Sequence, residues 1–361
     1  MVTADSCTLE NVKIEENISL AALTTFAIGG PARWLAAIGS EDELVEVVAW
    51  ARGRALPLFV LGGGSNLLVS DAGFDGLVMR MALKGVEQQG SLLRAAAGVE
   101  WDDFVSLAVS RGYAGVECLA GIPGTVGGTP VQNVGAYGQE VGTSIERVRA
   151  FDLQSNVFME FAAADCGFSY RRSRFNTVDR GRYIVTRVDF RLTENGRPQL
   201  DYADLKKHFA ASVAEPSLAE VAEAVRAIRR AKGMSMVEGE SDCRSAGSFF
   251  KNPVVEPERA AQVRAFAEEH GLSLRTYPTA DGKEKIPAAW LIEQAGFPRG
   301  FALGRAAISS RHTLALTNLG GATAADVLAL AACIRQGVAQ RFQIRLEMEP
   351  VRVGFASDPL P

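Results

Sequence analysis

Histidine and cysteine are scarce in this chain of 361 residues, and neither is arranged for chemistry of its own. The three histidines, His208, His270 and His312, stand at no metal-ligand spacing from one another or from a cysteine. That removes the common zinc sites. The five cysteines, Cys7, Cys118, Cys166, Cys243 and Cys333, are odd in number, scattered, and form no CxxC pair. A disulfide framework is excluded, and free thiols in a reducing cytoplasm are expected. No apolar run reaches the roughly 18 residues of a membrane helix. Up to Asn17 the chain carries Asp5, Glu10, Glu15 and Glu16 without an apolar core, so no signal peptide is expected. An excess of positive charge is missing too. Lys plus Arg is 38, Asp plus Glu is 42, and the formal net charge is −4. A broad nucleic-acid or membrane surface is therefore not expected, although a local basic pocket for a small anion is allowed.

What is present is an ordinary globular balance, 47% hydrophobic and 22% charged, in a length that calls for two or three compact units. Residues 41–52 read as a helix capped by Ser40. Residues 57–61, 77–81 and 92–97 read as strands, and Trp101, Phe104, Val105 and Ala108 have helical spacing that Gly112 would end. From 184 to 192 the pattern alternates. Ile184, Thr186, Val188, Phe190 and Leu192 fall on one side and Arg187, Asp189 and Arg191 on the other, the signature of a half-buried strand. Ser217 and Glu220 form a capping box at the head of an amphipathic helix. Further helices are expected over 257–270, 287–294 and 323–342. Strands dominate the first 200 residues or so and helices weigh more in the remainder. The fold class expected is α+β rather than one doubly wound sheet.

Glycine is the informative excess, 36 residues, and it is clustered. One cluster, Gly62-Gly63-Gly64-Ser65-Asn66-Leu67, follows a strand directly. The other runs from Gly121 through Pro123, Gly124, Thr125 and Gly127 to Asn133, Gly135, Ala136, Tyr137 and Gly138. Without side chains, glycines let backbone N–H groups approach phosphate oxygens closely. Either cluster alone is as well read as a tight turn. Two of them, each mixed with Ser, Thr or Asn, favour a dinucleotide. Neither contains GxGxxG, and no GxxxxGK[ST] occurs, so the nucleotide fold is of another kind.

Three runs carry a resemblance: Thr24-Thr25-Phe26-Ala-Ile-Gly29-Gly30, the segment 61–71, and the segment 120–140. They resemble the FAD-binding module of the vanillyl-alcohol oxidase (PCMH) type, and more closely the UDP-N-acetylenolpyruvoylglucosamine reductases. Three later runs are similar to motifs of the same family: Tyr170-Arg171-Arg-Ser-Arg-Phe175, Gly247-Ser248-Phe-Phe-Lys-Asn252-Pro, and Leu346-Glu347-Met-Glu349-Pro-Val-Arg352. The resemblance implies a two-lobed FAD module over about 20–200 (lobes of about 20–82 and 83–200). It also implies an α+β substrate domain over 215–342 and a C-terminal strand, 343–357, returning to the FAD module. It implies FAD, NADPH as co-substrate, and reduction of an enolpyruvyl ether of UDP-N-acetylglucosamine to UDP-N-acetylmuramate in the cytoplasm. Because neither glycine cluster contains a histidine or cysteine, the FAD is expected to be noncovalent. No nucleic acid, membrane or obligate protein partner is expected. The alternatives are a flavin oxidase on the same module and a UDP-sugar or flavin binder without turnover.

Hydride addition to an enolpyruvyl ether leaves negative charge on the carboxylate-bearing side. It therefore needs a cation there and an acid to protonate carbon. Arg171 suits the first role, since its planar fork pairs with a carboxylate; its arginine-rich surroundings alone read as a solvated face. Ser248 alone reads as a turn serine, and the resemblance makes it the proton donor. Glu347 and Glu349, two apart on an expected strand, share a face. The resemblance selects Glu349 as the catalytic carboxylate, with Glu347 as the alternative because the proline is displaced from the family pattern. For substrate it selects Tyr170, Tyr202, Arg229, Lys232, Asn252, Tyr277, Arg299 and His312.

Overall fold

A computed structural model describes residues 7–9, 12–235, 237, 239–279 and 281–356. Asp5 and Glu10 of the N-terminal reading lie outside the described residues. So does residue 357, the expected end of the C-terminal strand. Helices and strands are mixed as expected for an α+β chain, and they form two compact units. The first takes the chain up to Ile18, then Ala32–Gly64 and Phe74–Ala231. The second takes Ser19–Pro31, Ser65–Gly73 and the chain from Lys232 onward.

The first unit has two five-stranded sheets. In one the order is Cys7–Thr8, Lys13–Ser19, Pro31–Ile38, Phe74–Met81 and Leu58–Leu61. Pro31–Ile38 and Leu58–Leu61 both run parallel to Phe74–Met81. Strands running the same way need a crossover between them, and the helix Glu41–Arg52 carries the chain from Pro31–Ile38 to Leu58–Leu61 on the other side of Phe74–Met81. The Ser40 hydroxyl accepts the Glu43 N–H at its start. Its Leu44, Val47, Val48 and Ala51 join Ile38, Leu77 and Met79 in one core. The other sheet is antiparallel throughout, in the order Val157–Ala162, Ile145–Asp152, Tyr183–Arg191, Leu92–Ala96, Val86–Gln89. Its core includes Leu93, Phe104, Val188 and Phe190.

The strand at 183–191 departs from its expected alternation. Arg149 pairs with Arg187 but Ala150 pairs with Val185, so Thr186 sits at a bulge. Val185 therefore shares a core with Val188 and Phe190, while Ile184 faces the other core. Asp189, expected on the open face, is buried and accepts from Arg187 Nε at 2.7 Å. A second difference concerns the boundary expected at 200–215. The helix Leu218–Ala231 buries Val221 and Val225 in the first unit's core, so the division falls after Ala231. Its capping box is formed, with the Glu220 N–H on Ser217 Oγ and the Ser217 N–H on Glu220 Oε2. The short helix Ala203–His208 was not anticipated.

The second unit has a four-stranded antiparallel sheet in the order Ser245–Ser248, Ala315–Asn318, Ala306–Ile308, Ala302–Leu303. A small sheet joins Val254–Val255, Glu284–Lys285 and Tyr277–Pro278. The long helix Ala324–Phe342 lies in the same core as Phe26, Leu68, Phe249, Leu291 and Leu346. The two inserted segments are fastened there by polar contacts. Thr25 Oγ1 donates to the Ser245 carbonyl at 2.6 Å. The Asp71 carboxylate accepts the Ala324 and Ala325 N–H groups at 2.7 and 3.1 Å, at a helix N-terminus that favours negative charge. A Cβ on Gly30 would stand 2.3 Å from the Asp71 carbonyl oxygen, so the Thr-Thr-Phe-Ala-Ile-Gly-Gly run is a packing motif in this fold.

The expected strand 343–357 is shorter than read. Val351–Val353 pairs in parallel with Leu67–Val69. Before it, Met348 makes an isolated bridge to Phe250. Glu347 and Glu349 flank that bridge and are not part of a regular strand.

Candidate active site

The strand Leu58–Leu61 delivers the chain into the first glycine cluster, and the close approach of the two clusters explains the glycines. A Cβ on Gly63 would lie 2.5 Å from the Gly124 Cα, and one on Gly62 would lie 2.8 Å from Thr125 Oγ1. The second loop is held by antiparallel contacts to 99–101: Trp101 N–H on Gly124 O and Val126 N–H on Val99 O, both 2.9 Å. Among the described residues the N–H groups of Gly63, Gly64, Gly124 and Thr125 meet no backbone carbonyl. Thr125 Oγ1 is buried with no hydrogen-bond partner among the described residues. A buried donor without a partner is costly. N–H groups on two loops in close approach, together with an unsatisfied hydroxyl on one of them, are what an anionic pyrophosphate would complete. The residues present fit FAD.

Asn133 has its side chain tied into the loop. It is buried at φ +46°. Its amide donates to Glu140 Oε2 at 2.7 Å and the Ser169 carbonyl at 3.1 Å, and accepts the Gly142 N–H at 2.9 Å. Both amide hydrogens are committed, so this side chain shapes the loop. Gly135 and Ala136 form one arm of a hairpin whose other arm is Gln139–Glu140, turning at Tyr137 and Gly138. Beside it, Ser169 and Arg172 exchange backbone hydrogen bonds, which puts Tyr170 and Arg171 at a two-residue turn. Arg171 has φ +56°, a position that favours glycine. Its guanidinium lies 5.5 Å from the Tyr170 ring centroid, and Nη2 donates to the Gly135 carbonyl at 3.0 Å. The two motifs that contain Gly135 and Arg171 therefore meet in space.

Arg229, expected to meet substrate, is only 6% exposed and sends Nε to the Gly121 carbonyl at 2.9 Å. Burial lowers its pKa, with Tyr137 and Asp102 acting in the opposite sense. Tyr202 is half-exposed, and its ring meets Tyr137 edge-on at 5.3 Å. Sequence reasoning passed over Tyr137. The signal available was its place inside the second glycine cluster.

In the second unit three expected residues converge. Ser248 ends the strand Ser245–Ser248 opposite Ala315, just after Gly247 at φ +68°. The Glu349 N–H donates to the Phe249 carbonyl at 2.9 Å, which sets Glu349 beside the residue following Ser248. Asn66 Nδ2 approaches the Glu349 carbonyl at 3.5 Å, and the Val351 N–H donates to Asn66 O at 2.9 Å. Glu347 differs from Glu349: its side chain is 76% exposed and pairs with Lys251 at 3.4 Å.

The remaining candidates of this unit are dispersed. Asn252 Oδ1 accepts the Ala288 N–H at 2.9 Å, at the start of the helix Ala288–Gln294. Tyr277 is half-exposed, with Arg275 and Lys285 at 5.2 and 5.9 Å from its ring centroid. Arg299 is exposed, Lys232 and His312 are half-buried, and Ser65 and Leu67 lie on the inserted segment Ser65–Gly73. Among the described residues no cluster of His, Cys, Asp or Glu is placed to hold a metal ion.

A model of the FAD binding domain matches residues 32–155, and one of the UDP-N-acetylenolpyruvoylglucosamine reductase C-terminal domain matches 239–353. The chain is 45% identical over 349 residues to UDP-N-acetylenolpyruvoylglucosamine reductase of Thermobifida fusca, covering 94% of this chain and 97% of that one. The protein of the same name from Nocardia farcinica is 47% identical over 347 residues, 94% of this chain and 90% of that one. Among solved structures, UDP-N-acetylenolpyruvylglucosamine reductase from Thermus caldophilus matches with a TM-score of 0.65 at 28% identity. That match covers 95% of this chain and 99% of that one.

Proposed function

The chain belongs to the UDP-N-acetylenolpyruvoylglucosamine reductase family, and from that premise we propose how its residues carry the reaction. It reduces UDP-N-acetylglucosamine enolpyruvate to UDP-N-acetylmuramate for peptidoglycan synthesis, with FAD and NADPH. The observation that carries this is 45% identity sustained over 94% of the chain to a relative that is matched almost end to end. Both partners of the reaction are small molecules, and we place it in the cytoplasm. Among the described residues no helix is long and apolar enough to cross a membrane.

In this reading FAD is held by Gly62, Gly63, Gly64, Ser65, Asn66, Leu67, Pro123, Gly124, Thr125, Gly127, Asn133, Gly135 and Ala136. When bound, it supplies the hydride that originates on NADPH. Support comes from the N–H groups of the two loops and from the unsatisfied Thr125 hydroxyl. Arg171 stabilises the negative charge that develops on the substrate's carboxylate side. Ser248 Oγ donates the proton to carbon, and Glu349 is the carboxylate beside it. The exposure of Glu347 and its pairing with Lys251 favour Glu349 over it. Tyr170, Tyr202, Lys232, Asn252, Tyr277, Arg299 and His312 are assigned to substrate. Arg229 is assigned there only through the loop it holds.

The test is NADPH consumption by protein carrying FAD, with and without the enolpyruvyl substrate, in air and anaerobically. Substrate-dependent consumption that persists without oxygen is expected. Consumption that needs oxygen and ignores the substrate would make the protein an oxidase.

A further inference from the structure

The stretch 119–124 carries its own fastening. Trp101 Nε1 donates to the Leu119 carbonyl at 3.0 Å, and the Trp101 N–H donates to the Gly124 carbonyl at 2.9 Å. Between these ends, Gly121 at φ +69° has both of its polar groups taken by side chains. Asp102 Oδ1 accepts its N–H at 2.7 Å, and Arg229 Nε donates to its carbonyl at 2.9 Å. Asp102 is itself gripped by Arg226, whose Nη2 reaches Oδ1 at 2.8 Å and whose Nε reaches Oδ2 at 3.1 Å. Arg226 Nη2 also reaches Ser106 Oγ at 2.7 Å. A Cβ on Gly121 would lie 3.2 Å from Arg226 Cγ and 3.4 Å from Arg229 Cδ. None of these bonds uses the N–H groups of Gly124 or Thr125.

We infer that Asp102 is a positioning residue for the cofactor: its carboxylate, oriented by Arg226, fixes Gly121 so that the Gly124 and Thr125 N–H groups stay aimed at the pyrophosphate of FAD. This rests on the reading of 121–127 as a cofactor loop. The physical reason is entropic. A glycine at positive φ is the freest point of a loop, and an unfixed loop must be ordered when the ligand binds. A carboxylate accepting an N–H while paired to a guanidinium is a strong and directional way of ordering it in advance.

The experiment measures FAD affinity of apoprotein by flavin fluorescence for wild type, Asp102→Asn and Asp102→Ala, with apoprotein melting recorded alongside. Asn keeps an oxygen acceptor for the Gly121 N–H, and Ala removes it. The Ala variant should bind FAD about tenfold or more weakly, the scale of one charge-assisted hydrogen bond. The Asn variant should stay within about threefold of wild type on the same ground. If the Ala variant does not fold, Asp102→Ser replaces it, its hydroxyl falling short of the Gly121 N–H. Equal weakening in the Asn and Ala variants would place the effect in the Arg226 pair and overturn the inference. So would unchanged affinity in the Ala variant. Wild-type apoprotein that fails to take up FAD would instead refute the cofactor reading itself.

Discussion

Arg171 stands at φ +56°, where an L side chain costs about 1–2 kcal/mol of steric strain. Strain of this kind persists where the surroundings hold the residue in place, and it is found at functional sites. Here the Gly135 carbonyl and the Ser169–Arg172 pairing hold it. The usual order of helix and strand positions, in which glycine is the worse residue, should therefore reverse. Arg171→Gly should be more stable to denaturant than Arg171→Ala by about 1 kcal/mol, while both lose reduction of the enolpyruvyl substrate. An Ala variant at least as stable as the Gly variant would show that the turn carries no such strain. Ser248 gives a second expectation at this scale. If its hydroxyl only protonates carbon, Ser248→Ala should leave reduction of bound FAD by NADPH intact. It should slow the substrate half-reaction by about 10²–10⁴-fold, the usual worth of a positioned general acid. Ser248→Cys should recover part of the loss. Stopped-flow absorbance of each half-reaction separates the cases, and equal slowing of both would give Ser248 a structural role instead. Arg171 and Ser248 are singled out by their motifs in the sequence. The commitment of the Asn133 side chain is not legible there, because whether an amide points inward to Glu140 or outward to a ligand is a matter of tertiary packing.

The strand Ile145–Asp152 ends on a carboxylate whose side chain is 1% exposed. Asp152 accepts Arg182 Nε and Nη2 at 3.0 and 2.8 Å, the Gln154 N–H at 2.9 Å and Ser155 Oγ at 2.8 Å. The Arg182 bonds, followed by those lesser ones, outweigh burial and hold its pKa well below the ordinary aspartate value. A depressed folded-state pKa stabilises above the unfolded pKa of about 3.9 and is lost as pH falls through the folded value. Asp152→Asn should thus be less stable than wild type by a margin that is constant from pH 7 to about 5. The margin should shrink only below about pH 4. Denaturation midpoints against pH test this, and a margin that grows toward acid would reverse the sign. At this same scale the sequence spoke most clearly where local chemistry decides. Ser40 and Ser217 marked true helix starts, since a hydroxyl beside free N–H groups acts without tertiary help. The bulge at Thr186 had no such signal: a β-branched threonine in an alternating run looks like any other strand residue, and the slip depends on which residues of 145–152 lie opposite.

Two units drawn from interleaved stretches of chain could not be read from composition, because the exchange at Ser19–Pro31 and Ser65–Gly73 involves short segments with ordinary content. What betrays it is burial: Phe26 and Leu68 belong to the core that contains Leu316 and Ile334. The two glycine clusters, in contrast, announced themselves, and their chemistry bears on how the whole protein holds its flavin. Neither 62–67 nor 121–136 contains a histidine or cysteine. The nearest thiol in sequence, Cys118, is fully buried, and burial together with the Glu117 charge pushes its pKa far up. The thiolate needed for attack on a flavin is suppressed. Cys166 is likewise pushed up, to about 12, chiefly by burial. FAD should therefore be held by hydrogen bonds and packing alone. Acid precipitation of the loaded protein should leave a colourless pellet and all of the flavin in the supernatant. The apoprotein, prepared under milder conditions, should regain stability when FAD is returned. At a free concentration 100 times Kd the gain is about 2.7 kcal/mol by mass action, read as a rise in the melting temperature. A yellow pellet would mean a covalent bond from a residue outside both loops. A colourless pellet with no gain on adding FAD would mean that the flavin had not been bound at a native site.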